Sequence, residues 1–77
     1  MIFQGWVDSI RNHGKITFFD LRTKDGIFQC VGKSLNHLHL EAVVEVIGTK
    51  QDRPEKMRTN AVNGDVEISV ESVTLLN

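Results

Sequence analysis

The sequence is poor in residues that staple a chain, break it or load it with charge of one sign. Its 77 residues include one cysteine, one proline, one tryptophan and no tyrosine. The lone thiol, Cys30, cannot close an internal disulfide, and no Cys/His cluster has the spacing of a zinc site. Stability must then come from packing, which fits a reducing compartment. No apolar run approaches the roughly 20 residues of a membrane-spanning helix, and no charged-then-apolar leader opens the chain. The expectation is a soluble cytoplasmic protein, with the mitochondrial matrix as the alternative compartment. The length fits one domain, residues 1–77, with a modest core. An excess of positive charge is also missing: nine Lys and Arg face ten Asp and Glu, a net charge of −1. Proteins that grip duplex nucleic acid by its phosphates are usually far more basic. That balance still permits a site that reads a few splayed bases by stacking and hydrogen bonding.

What is present alternates. Phe3, Gly5 and Val7 interleave with Gln4, Trp6 and Asp8 in a first strand. From Lys15 to Arg22 a second strand sets Thr17, Phe19 and Leu21 on one face, with Ile16, Phe18, Asp20 and Arg22 on the other. Thr23-Lys24-Asp25-Gly26 is a turn signal, with Asp-Gly supplying positive φ, and a third strand follows through residues 27–31. If that turn closes a hairpin, Arg22 pairs with Ile27 and Asp20 with Gln29. Phe19, Leu21, Phe28 and Cys30 then share an apolar face, assigned to the core, while Phe18, Asp20, Gln29 and Val31 share the other. A slip of one residue would reverse these faces.

Lys33 to Leu40 is the only helical candidate, at most two turns, with Ser34 as its N-cap. A fourth strand, residues 41–50, turns Ala42, Val44 and Val46 inward, with Gly48 allowing a bend or bulge. Residues 51–63 read as a long polar loop. A fifth strand, residues 65–76, buries Val66, Ile68 and Val70, then shifts phase to bury Val73 and Leu75. Five strands with one short helix between the third and fourth is the order of an all-β, five-stranded OB-fold Greek-key barrel. An SH3-like barrel is the main competitor.

The ordered set Gly5-Trp6-Val7, Arg11-Asn12-His13-Gly14-Lys15, Phe18-Phe19-Asp20-Leu21-Arg22 and Asp25-Gly26-Ile27-Phe28-Gln29-Cys30-Val31 resembles a known family. It is similar to the N-terminal anticodon-binding OB domain of the class IIb aminoacyl-tRNA synthetases, which serve Asp, Asn and Lys. Gly48-Thr49 followed by Arg53-Pro54, and the tail from Gly64 to Asn77, resemble the bacterial-type or mitochondrial aspartyl branch most. The resemblance implies a partner, the anticodon loop of a tRNA, aspartate ahead of asparagine or lysine. Phe18 would stack on the middle anticodon base, a uridine shared by the three tRNAs. Gln29 would hydrogen-bond its edge, and Arg11 would hold that base or nearby backbone. Arg53 and Glu67 would lie near the flanking bases, Glu67 suiting a guanine's N–H donors. Met57 stands where the aspartate branch often has Asn, and the loop is about one residue short. The chain opens just before the first strand and stops where the hinge to a catalytic domain would start. The expectation is an anticodon-binding domain with its catalytic domain absent, a dimer only within a full-length synthetase.

Each residue also has a plainer reading. Phe18 would be core if the register slipped, and Gln29 alone would be a solvated strand residue. Arg11 would be a surface ion pair with Asp8 or Asp20, and the Arg53 and Glu67 charges would be solvated. Trp6 reads mainly as outer packing. His37-x-His39 lacks a third ligand, so no metal is expected. No acid–base pair, Ser-His-Asp set, Walker loop or zinc-protease spacing appears, so no catalytic residue and no cofactor is expected. Two other functions fit the composition: a general single-stranded nucleic-acid OB module, and a protein-interaction or dimerisation barrel.

Overall fold

The alternating segments form strands because each can turn one face to a shared core and the other to water. The computed structural model describes residues 1–33, 35, 37–59 and 63–76. They form β1 (Ile2–His13), β2 (Ile16–Thr23), β3 (Gly26–Lys33), β4 (Val43–Asp52) and β5 (Val66–Leu75). These close into a barrel in the order β1-β2-β3-β5-β4, β4 returning to pair with β1. All pairings are antiparallel except β3 with β5, where Gln29, Cys30 and Val31 lie beside Glu67, Ile68 and Ser69. This is the OB order, and closure leaves no strand edge open along the whole barrel.

β1 serves two partners. Its first half, Ile2 to Trp6, pairs with β4, and its second half, Trp6 to His13, pairs with β2. Between Val7 and Ser9 the register with β2 shifts, so Asp8 is an extra residue. β4 and β5 shift likewise: Ile47 lies opposite Ser72 and Gly48 opposite Val70, leaving Glu71 over. A Cβ on Gly48 would run into the Ser69 carbonyl and the Ile68 side chain, so the bulge needs a glycine there. The phase shift expected in the fifth strand is this bulge.

The β2–β3 register matches the expected one, with Arg22 opposite Ile27, Asp20 opposite Gln29 and Phe18 opposite Val31. Val7, Phe19, Leu21, Phe28, Cys30, Ala42, Val44, Val46 and Ile68 form the buried core. Phe3, Ile10, Leu35, Leu38, Val66, Val70 and Val73 pack against it.

Three expectations are corrected. No helix lies between β3 and β4 among the described residues, and the proposed cap, Ser34, lies outside them. Isolated bonds from the Leu38 and Ala42 N–H groups to the Leu35 and His39 carbonyls replace helical ladders. Two turns are too few to offset helix nucleation. The segment is pinned instead to β1, Val7 bonding the backbone of Glu41 and Ala42 at 2.9 Å each. Leu75 is exposed, since it lies at the end of the sheet beyond the bulge. The expected long loop is shorter and built. β4 runs on to Asp52, a 3₁₀ turn covers Glu55–Met57, and Arg53–Asp65 and Thr59–Gly64 backbone bonds tie the loop together.

Burial, then the Asp20 carboxylate, push the Cys30 thiol up from its ordinary 9.0 to about 12. At pH 8 that leaves about one thiolate in ten thousand. A thiol reagent at pH 8 should therefore label the folded domain far more slowly than the urea-unfolded chain. The stability held by the neutral thiol is complete below pH 9.0 and is lost as pH climbs toward about 12. Fast labelling of the folded domain would mean that Cys30 is not in the core.

Candidate nucleic-acid interface

The bulge at Asp8 decides what the outer wall of the barrel presents. Uninterrupted alternation from inward-facing Val7 would turn Ser9, Arg11 and His13 inward. With one extra residue, Ile10 points in opposite Phe19, while Ser9 faces Asp20 and Arg11 faces Phe18. Two rows then cross the outer surface. One runs Ser9, Asp20, Gln29, Glu67, and the other Arg11, Phe18, Val31, Ser69. Directly opposed residues share a face, so four of the five expected site residues, Arg11, Phe18, Gln29 and Glu67, come together here.

Arg11 is the hub. Its Nη1 donates to Ser9 Oγ at 3.2 Å and to Asp20 Oδ2 at 3.3 Å. Its Nη2 donates to Asp20 Oδ1 at 3.5 Å and to Gln29 Oε1 at 3.2 Å. Ser9 Oγ donates to Asp20 Oδ2 at 2.7 Å. Of the two plainer readings of Arg11, the Asp20 pair is present, and Asp8 pairs instead with Arg22 at 3.0 Å. The ion pair does not close the site, because the same guanidinium also reaches Gln29.

Gln29 is not the solvated strand residue its position suggested. It is only 9% exposed, and its Nε2 is buried without a hydrogen-bond partner. Leaving such a donor unsatisfied costs about 1–3 kcal/mol, and unsatisfied buried groups tend to mark functional positions. Phe18 is half-buried and outside the core cluster, its ring edge-on to His13 at 5.4 Å and 89°.

Arg11 and Gln29 stand between two concavities. One, about 290 Å³, is lined by Arg11, His13, Phe18 and Gln29. The other, about 380 Å³, is lined by Arg11, Asp20, Ile27, Gln29, Arg53, Thr59 and Gly64. Arg53 reaches it from the end of β4, held by its Nε donating to the Val66 carbonyl at 2.9 Å. Glu67 lines neither, but is 6% exposed and beside Gln29 in the sheet. A flat ring beside amide, guanidinium and carboxylate groups is what an unpaired base needs: a stacking surface and polar groups for its edge.

A family model described as an OB-fold nucleic acid binding domain of the tRNA anti-codon type matches residues 1–76. The chain belongs to this family. Among individual relatives of this anti-codon OB domain, the aspartate–tRNA(Asp/Asn) ligase of Corynebacterium efficiens is 40% identical over 80 residues. The match takes in 95% of this chain and 13% of that ligase, so the chain spans about an eighth of its length. Among solved structures, the aspartyl-tRNA synthetase of Entamoeba histolytica superposes with a TM-score of 0.81 at 20% identity. The asparaginyl-tRNA synthetase of Pyrococcus horikoshii does so at 0.75 and 24%. Each covers 100% of this chain, against 18% and 19% of the larger proteins, and these likenesses speak for the fold. The matched segment is the anti-codon OB portion of such ligases.

Sequence reasoning missed His13 and the wall formed by Ile27, Thr59 and Gly64. His13 was in reach, because it shares alternation with Arg11 once the bulge is known. Thr59 and Gly64 come from a loop whose path no periodicity reveals. Away from the site, Trp6 is 42% exposed on the outer wall, with the Arg22 guanidinium 5.9 Å from its ring. His37 and His39 bond the Val73 and Leu40 carbonyls, and no metal-binding cluster of His, Cys, Asp or Glu occurs among the described residues.

The facing of β2 has a stability signature. Phe19→Ala should cost about 3–5 kcal/mol in urea unfolding, as a fully buried ring does, while Phe18→Ala should cost about 1 kcal/mol. Equal losses would contradict the assignment of Phe18 to the binding face.

Proposed function

We propose that this domain selects a tRNA by docking its anticodon loop on the outer face of β1, β2 and β3, and that it catalyses nothing itself. The observation that carries the reading is the half-buried Phe18 ring beside Gln29, whose buried amide nitrogen has no partner. Phe18 stacks on the middle anticodon base, a uridine. Gln29 meets the edge of that base, having both a donor and an acceptor to offer. Arg11 holds the base or the adjoining backbone. Arg53, lining the neighbouring concavity, and Glu67, beside Gln29, take the flanking bases. A carboxylate accepts two N–H groups at once, which matches the Watson–Crick edge of guanine. The aspartate tRNA is favoured over asparagine and lysine tRNAs by the 40% identity to a ligase named for tRNA(Asp/Asn). Within a full-length synthetase, ligation would fall to another domain and dimerisation to the whole protein.

The near-neutral charge suits this mode, because recognition relies on a few base contacts. With Arg11 and Arg53 as the cations on phosphate, log K should fall with log salt at a slope of about −1.4.

The test is fluorescence-anisotropy binding of an aspartate anticodon stem-loop. Phe18→Ala should weaken binding by about 5- to 150-fold, the loss of about 1–3 kcal/mol of base stacking. Trp6→Ala, on another part of the wall, should leave it unchanged. Undiminished binding by Phe18→Ala would reject the proposed site.

A further inference from the structure

The hydrogen bonds behind Gln29 say which way round its amide sits. Arginine has donors only, so the Gln29 atom facing Arg11 Nη2 at 3.2 Å must be the carbonyl oxygen. The unpartnered Nε2 is then the other end. Arg11 in turn cannot swing freely. Asp20 takes both of its Nη atoms, and Ser9 bonds Arg11 and Asp20 together. Ser9 stands opposite Asp20 only because Asp8 is bulged out of β1.

We propose that Asp20 and Ser9 are positioning residues that lock the Gln29 amide through Arg11, and that this lock makes the site choose uracil over cytosine. The proposal rests on the anticodon reading above. Uracil presents an N3–H donor flanked by acceptor oxygens O4 and O2. Cytosine presents an N3 acceptor flanked by the N4 amino donor and O2. In its locked orientation Gln29 Oε1 has one lone pair on Arg11 and a second to accept uracil N3–H, while Nε2 donates to a flanking uracil oxygen. Cytosine requires the amide reversed, so that Nε2 donates to N3 and Oε1 accepts from N4. Reversal would set the Nε2 hydrogens against the Arg11 guanidinium, donor against donor. An unconstrained glutamine would serve both bases by turning over; a locked one serves uracil.

Asp20 and Ser9 are not assigned any contact with the RNA, so they can be changed without removing a reading group. The 77-residue chain is titrated with two anticodon stem-loops, identical except for uracil or cytosine at the middle position. The quantity read is the ratio of the two affinities. Wild type should favour uracil by tenfold or more. Asp20→Asn, which keeps acceptor capacity toward Arg11 but not the charge, should lower the ratio in part. Asp20→Ala should lower it about tenfold, chiefly by gain on the cytosine loop, with melting temperature little changed. Ser9→Ala, the milder variant, should lower it severalfold. Removing a carboxylate also changes both affinities together through charge, so only the ratio reports the lock. A wild-type preference for uracil that survives Asp20→Ala and Ser9→Ala within twofold would overturn the lock and leave the anticodon reading standing. Equal wild-type binding of both loops would overturn the reading itself.

Discussion

Thr23 and Gly26 face each other across a two-residue turn, and from that pairing every side chain of β2 and β3 receives its side of the barrel. The turn is built locally. The Asp25 N–H donates to Thr23 Oγ1 at 3.1 Å, that hydroxyl donates to the Gly26 carbonyl at 2.9 Å, and Gly26 takes a φ of 110°. Shifting the pairing by one residue would drive Phe18, Asp20 and Gln29 into the core and expose Phe19, Leu21 and Phe28. Burial of those aromatic and aliphatic groups therefore holds the binding face outward. Site and core are two sides of one register.

A second constraint acts on β1. Without the extra residue at Asp8, the hairpin would still form, but Arg11 would lie on the inner side, away from Asp20 and Gln29. The bulge re-aims one half of a strand relative to the other. The Arg22–Asp8 ion pair joins the bulged residue back to β2 at 3.0 Å, beside the Arg22 contact with Trp6.

Much of this was legible in the sequence for a physical reason: antiparallel strands have a period of two, and a two-residue turn fixes register. The core set Phe19, Leu21, Phe28, Cys30, Ala42, Val44, Val46 and Ile68 followed from alternation alone. Phe18 and Gln29 fell on the same face by the same logic. Alternation is silent where it is interrupted without a glycine, and the bulge at Asp8 carries no such mark. The burial of Gln29 and Glu67 was equally hidden, since a polar residue on an outer face reads as solvated until the loop after β4 is seen to fold beside it. The helical reading of residues 33–40 failed because a few well-spaced leucines can pack on a barrel from a loop as readily as from a helix. The resemblance to a family brought Arg53 and Glu67 into view; composition gave no reason to choose them over other charges.

The central claim is that bases are read on the outer wall of β1, β2 and β3. The most direct test is an NMR titration of the domain with an aspartate anticodon stem-loop, followed by chemical shifts and by nuclear Overhauser contacts to base protons. The account predicts shifts concentrated at Arg11, Phe18 and Gln29, with contacts between the Phe18 ring and the middle base. Shifts centred on Trp6 and Val43, or spread evenly over the barrel with no contact to Phe18, would contradict it.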